Sequence, residues 1–174
     1  CSHSHKVLKY AAASNAWLHR LAIWPCCLHD PDHWALHWFL LKDDVRAEPY
    51  VQFIHDRQTR SLLAQLCCGI LPLKIETGRF SRLPVEERIW ELCNTKYVEN
   101  EMHFVCCCPL YDDVRINMYN QVKLQCQDFE TMTIENKFVH LMKYRWRDVS
   151  KYISQAWNIR KANLYQWYPY IYTH

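Results

Sequence analysis

Glycine is almost absent from this chain, whose 174 residues include only Gly69 and Gly78. Tight hairpin turns and phosphate-binding loops both need glycine where a positive backbone angle or a close approach excludes a side chain. The scarcity argues against a meander of short strands and against a nucleotide-binding loop. It therefore favours a mainly helical fold.

Long apolar runs are also missing. The best candidate, residues 34–41, is about half the roughly 18 residues that a membrane-spanning helix needs. The 10 cysteines include adjacent runs, a placement that does not suit a disulfide framework, and no secretory leader precedes them. We expect a protein of the cytoplasm or nucleus, with no membrane partner.

Half of the residues are apolar, which is enough for one sizeable core. Three regions are predicted: residues 1–49, rich in His and Trp; a helical module over residues 50–168; and an aromatic tail over residues 169–174. Apolar periodicity and alanine content predict helices at residues 7–21, from Thr59 or Ser61 to residue 71, and at residues 111–126, 135–146 and 148–165. Residues 69–80, GILPLKIETGRF, are expected to be irregular, with a turn at residues 77–78.

The last predicted helix has the clearest apolar face. Asp148 is its expected cap, because a carboxylate at a helix start can accept from a free amide. The residues that we expect it to bury are Val149, Tyr152, Ile153, Ala156 and Trp157.

Three metal-ligating side chains lie close together in the sequence. Cys93, His103 and Cys108 have the spacing C-x9-H-x4-C, which is typical of a small zinc module. A structural zinc site normally has four thiolate or imidazole ligands, and the residue expected to pair with Cys93 is Trp90, which cannot bind a metal. The first candidates for the missing fourth ligand are Cys106 or Cys107, and more distant ones are Cys67, Cys68 and His55.

Residues 60–111 contain SLLAQL, GILPLKIETGRF, LPVEER, ENEMHF and a closing CPLY. With the later KFVHLMKYRW and KYISQAWNIRKANLY, this stretch resembles the C-terminal zinc-binding region of non-LTR (LINE-type) retrotransposon reverse transcriptases. The resemblance implies a helical module with an irregular, zinc-knuckle-like CCHC segment whose fourth ligand position is occupied by Trp. It also implies a Zn²⁺ cofactor, contact with template RNA or target DNA, and the rest of a retrotransposon polyprotein as partner.

Basic residues are concentrated in two acid-poor segments. Residues 57–82 contain five Lys and Arg with one acid, Glu76, and residues 137–161 contain seven with one acid, Asp148. Aromatic residues are interleaved with them, a combination that suits phosphate contacts with base stacking. The candidate nucleic-acid contacts are Arg79, Arg82, Lys143 and Arg147.

The sequence contains no convincing catalytic constellation. Asp112 and Asp113 after Tyr111 resemble a polymerase aspartate motif, but the spacing is wrong by one residue and no polymerase context surrounds it. Cys106 and the nearby His103 are residue types that can act as nucleophile and base, but no orienting residue or pocket is evident. We therefore expect a non-catalytic fragment without a small-molecule substrate. The alternative is a degenerate structural remnant that has neither zinc nor activity.

Overall fold

The computed structural model describes residues 48–167, and within them the protein is mainly helical, as predicted. The α-helices of this region are α1 (Pro49–Phe53), α2 (Arg57–Cys67), α3 (Lys74–Phe80), α4 (Asp112–Lys123), α5 (Ile134–Tyr144) and α6 (Trp146–Trp167). Residues 48–167 contain no β-strand, and their one isolated bridge is antiparallel and joins Ile89 to Val98.

The core is built around α6, against which α2, α4 and α5 all pack. Its buried apolar residues include Val149, Tyr152, Ile153 and Ala156, which lie on one side of the helix. These four residues are buried as predicted, whereas Trp157, the fifth residue predicted for this face, is only half-buried. The Tyr152 hydroxyl donates to the Phe104 carbonyl oxygen at 2.5 Å, so the centre of α6 is joined directly to the segment that carries His103.

Several helix ends differ from the predictions. The N-cap of α2 is Asp56, whose carboxylate accepts from the Thr59 amide at 2.6 Å, rather than Thr59 or Ser61. Helix α6 begins at Trp146, so Asp148 lies in its first turn, where it pairs with Arg145. Capping depends on which side chain reaches a free amide, and several neighbouring residues are chemically able to do so.

The prediction of a turn at residues 77–78 is wrong. The structure has helix α3 there, and Gly78 is buried inside it. A Cβ at Gly78 would lie 2.6 Å from Cγ of Arg88, so this glycine allows a close approach of a side chain rather than a turn. Arg88 donates to the carbonyl oxygens of Leu83 and Ile75, which ties α3 to the chain that leads to Trp90.

The predictions for residues 7–21 and for residues 169–174 lie outside the described residues. Among helices of the described region, none combines the length and the apolar character that crossing a membrane requires.

Candidate metal centre

Cys93 ends a short 3-10 turn, Glu91–Cys93, at the start of a tight loop. The loop reverses direction through two residues with positive φ, Asn94 at 55° and Lys96 at 56°. Asparagine tolerates this left-handed conformation better than most residues because its short polar side chain can bond locally. The bridge between Ile89 and Val98 closes the loop that contains Cys93.

The other two predicted ligands lie at the two ends of a π-helical turn, His103–Cys107. His103 is its first residue, and Cys108 follows its last. The Cys108 amide donates to the His103 carbonyl oxygen at 2.7 Å, a bond that spans five residues. This wide turn explains why an x4 spacing brings the two side chains together, and such turns are frequent at functional sites. The Asn100 side chain accepts from the His103 amide at 2.8 Å and holds the start of the turn.

The three predicted ligands converge. One ligand atom from each of Cys93, His103 and Cys108 lies within 4.8 Å of the others, and Cys93 Sγ is 3.4 Å from His103 Nε2. All three residues are buried, with 6%, 4% and 0% of their surfaces exposed. The structure thus confirms that the three residues form a buried group that could hold a metal ion.

Burial favours the neutral form of both His103 and Cys108. Burial, with a smaller contribution from the Arg115 cation, lowers the pKa of His103 to about 4, so its imidazole is neutral near pH 7 and keeps a lone pair for a metal. Burial raises the pKa of the Cys108 thiol to about 12. A metal ion would therefore have to displace a proton from this thiol, because the thiolate is the ligand.

Trp90 occupies the place expected for the fourth ligand, and its side chain has another role. Only 2% of its surface is exposed, and the Arg160 guanidinium lies 3.8 Å from the centre of its ring. Its carbonyl oxygen accepts from the Cys93 thiol at 3.4 Å, while its indole Nε1 has no hydrogen-bond partner in the described region. Trp90 is therefore a packing residue beside the group.

Within the described residues, the converging group includes none of the predicted fourth ligands. These are Cys106, Cys107, Cys67, Cys68 and His55. Cys106 instead forms a hydrogen bond with the Tyr119 side chain. Burial raises the pKa of the Cys106 thiol to about 12. Besides His103, the Cys93 thiol contacts Thr95, whose Oγ1 lies 3.0 Å from Cys93 Sγ. The identity of the fourth ligand stays a prediction.

A buried ion pair next to the group is absent from the sequence-based predictions. Glu99 is fully buried and accepts from both Nη1 and Nη2 of Arg160, the second at 3.1 Å. Glu99 also accepts from the Lys74 amide at 2.8 Å, so it joins α3 to α6. A glutamate four residues before a ligand carries no sequence signal for this role, because its partner lies 61 residues away.

Glu101 is a second buried acid that sequence reasoning missed. Only 2% of its surface is exposed, and neither of its carboxylate oxygens has a hydrogen-bond partner among residues 48–167. Burial, with smaller contributions from Glu76 and Glu99, raises its pKa to about 7. It lies two residues before His103 in the sequence and is not one of the three converging residues.

The four predicted nucleic-acid contacts have different environments. Arg79 is half-buried and bonds to the Glu76 carboxylate at 2.6 Å, whereas Arg82 is exposed. Lys143 lies over the Tyr144 ring, and Arg147 is exposed over the Trp146 ring. Arg79 likewise lies over the ring of its neighbour Phe80, so three of the four cations accompany an aromatic side chain.

Comparison with known proteins adds no assignment: no family model matches the chain, and neither does any curated protein or solved structure.

Proposed function

We propose that this chain is a non-catalytic, zinc-binding module of a LINE-type reverse transcriptase that contacts nucleic acid. The observation that carries the proposal is the buried convergence of Cys93, His103 and Cys108. Two thiolates and an imidazole suit zinc, whereas magnesium and calcium prefer oxygen ligands, and none is among these three side chains. The retrotransposon origin rests on the sequence resemblance, and the rest of the polyprotein is the partner that it implies.

Three protein ligands leave one position of a tetrahedral zinc ion to be filled. A water molecule is the simplest fourth ligand, because it needs no further side chain. Cys106 or Cys107 would complete the site only after the π-helical turn rearranges, because neither belongs to the converging group. The two alternatives differ in the number of sulfur ligands on the metal.

The nucleic-acid half of the proposal rests on the basic residues in the two acid-poor segments. Arg82, Lys143 and Arg147 are the principal phosphate contacts, and Arg79 is a weaker one because Glu76 already binds its guanidinium. Burial raises the pKa of the Cys106 thiol, which argues against Cys106 as a nucleophile, because a nucleophilic cysteine needs a lowered pKa.

One observation favours the alternative, a structural remnant without zinc. The buried ring of Trp90 packs against Arg160, so the sequence position expected for the fourth ligand is held by a packing residue that cannot bind a metal. In this alternative the helices still pack around α6, but the cysteines and His103 are only core residues.

Zinc content separates the two functions. The full chain, purified under reducing conditions, is expected to hold one zinc ion per molecule by elemental analysis, and Cys108→Ser is expected to hold none. Cys126→Ser is the matched control, since Cys126 is a half-buried cysteine outside the group. No zinc in the parent chain would overturn the metal assignment and favour the remnant.

Salt dependence tests the nucleic-acid role separately. Binding of a labelled oligonucleotide should weaken steeply with rising salt, because each phosphate contact releases condensed counterions. Replacing Arg147 with Gln should reduce the slope of log K against log salt by about one. No measurable binding at low salt would overturn this part of the proposal and leave the zinc result unaffected.

A further inference from the structure

Two aromatic rings lie against each other where α1 contacts the start of α6. The rings of Phe53 and Trp146 have centroids 6.2 Å apart and planes inclined by 24°, so they are nearly parallel. Phe53 is 59% exposed, although burying an aromatic ring is normally favourable. Trp146 is half-buried against the core and supports the exposed Phe53 ring, so the pair presents an oriented apolar surface to a partner.

Arg147 adds a cation to the ring pair. Its guanidinium lies 4.3 Å from the centre of the Trp146 ring and 5.4 Å from that of Phe53. No ion pair between Arg147 and an acid is found in the part of the chain that the structure describes. Its neighbour Asp148 is bound to Arg145 instead. The positive charge of Arg147 therefore remains available for an anion.

The outward face of α6 beyond Arg147 is also basic or polar. Arg147, Lys151, Gln155 and Asn158 are all exposed and lie about one helical turn apart. No acid interrupts them, since Asp148 is the only acidic residue in the sequence of α6. The face is therefore basic at the end that carries the rings and polar beyond it, which complements an anionic, elongated partner.

We propose that Phe53, Trp146 and Arg147 form a stacking surface for the bases of single-stranded nucleic acid, with phosphates following the side of α6 that carries Lys151. The inference rests on the proposed nucleic-acid role and specifies its site and the form of the partner. Bases expose their faces only when unpaired, and stacking on aromatic or guanidinium planes is the usual way of binding single strands. A duplex buries the faces that this surface would contact.

The test compares a labelled single-stranded oligothymidylate with a duplex of equal length at one low salt concentration. The parent chain should bind the single strand more tightly. Phe53→Ala should weaken single-strand binding roughly 5- to 150-fold, the range expected for losing one stacked base. Duplex binding should change little, and Phe53→Tyr should retain single-strand binding because the ring is kept.

Phe80→Ala is the matched control. Phe80 is an exposed ring, 76% accessible, whose centre lies 5.4 Å from the Arg79 guanidinium, the same distance that separates Arg147 from Phe53. Its arginine is bound by Glu76, so this variant should leave single-strand affinity unchanged. Unfolding by urea should show that both alanine variants are folded.

The outcomes distinguish the inference from the proposed function. The stacking surface would be overturned if Phe53→Ala did not weaken single-strand binding, or if Phe80→Ala weakened it as much. The nucleic-acid role would stand in both cases, provided that the parent chain shows salt-dependent binding. The surface would also be overturned if Phe53→Ala lost the same factor of affinity for the single strand and for the duplex. If the parent binds no nucleic acid, both the surface and the nucleic-acid role fail, and the zinc measurement remains independent.

Discussion

Trp90 precedes the 3-10 turn that Cys93 ends, yet the two side chains belong to different kinds of interaction. Cys93 converges with His103 and Cys108 in a group with the chemistry of a metal site. Trp90 packs on Arg160, which is bound to the buried Glu99. The first group could hold an ion from solution, whereas the second interaction is made entirely by the chain.

This difference explains how the loop around Cys93 can be held without a metal. The contacts among Trp90, Arg160 and Glu99 connect the loop to α6 and, through the Lys74 amide, to α3. We expect these contacts to maintain the fold without zinc, and zinc to add stability where it binds. Variants that remove one set of contacts at a time separate the two contributions.

Replacing Arg160 with Met should have the largest effect, a loss of about 3–5 kcal/mol in the free energy of unfolding. The change leaves the Glu99 carboxylate buried without its counter-charge, which costs far more than the net value of the ion pair. Urea unfolding of the metal-free protein measures it. The double variant with Glu99→Gln removes both charges and should recover part of the loss; a double variant as unstable as the sum of both single variants would contradict this explanation.

Trp90→Cys should destabilise the metal-free protein by about 3 kcal/mol, since it removes a large buried ring and its contact with Arg160. Trp90→Phe should lose only about 1 kcal/mol, because it keeps a ring and because indole Nε1 has no hydrogen bond within residues 48–167 to lose. Equal stability of the two variants in urea would show that the ring contributes little.

Zinc should stabilise the parent chain by about 2.7 kcal/mol when its free concentration is about 100 times the dissociation constant. The reason is that the folded protein alone presents the three converging ligands. Thermal unfolding with and without a chelator measures this increment. Cys108→Ser should abolish the increment, whereas Cys126→Ser should preserve it; an equal increment in both variants would indicate zinc binding elsewhere.

Asn94 should give the smallest effect. Asn94→Gly should be neutral or slightly stabilising, and Asn94→Ala should lose about 1 kcal/mol, because alanine is strained at a φ of 55°. Chemical denaturation of the metal-free protein measures both variants. If Asn94→Ala is as stable as the parent, the left-handed turn is not a constraint on the Cys93 loop.

The helical class and the three converging residues are predictable from the sequence because both depend on local signals. The apolar spacing on α6 is visible in any window that contains Val149 and Ala156, and the C-x9-H-x4-C spacing lies within 16 residues. The π-helical turn that joins His103 to Cys108 is not predicted, since it depends on one five-residue hydrogen bond rather than on composition.

Features that depend on distant partners could not be predicted. Helix α3 contains a glycine that by itself indicates a turn, and only the packing of Arg88 shows why a small residue is needed there. The pairing of Glu99 with Arg160 and the aromatic contact of Phe53 with Trp146 join residues that are far apart in the sequence. One sequence without covariation gives no signal for such contacts.

X-ray absorption at the zinc edge of the reduced, full-length chain would show whether Cys93, His103 and Cys108 hold zinc and what completes the site. We expect one zinc ion with two sulfur ligands at about 2.3 Å and two nitrogen or oxygen ligands at about 2.0–2.1 Å, the last of these from a water molecule. Three sulfur ligands would contradict a water molecule in the fourth position and indicate Cys106 or Cys107. A chain that retains no zinc would contradict the metal centre itself.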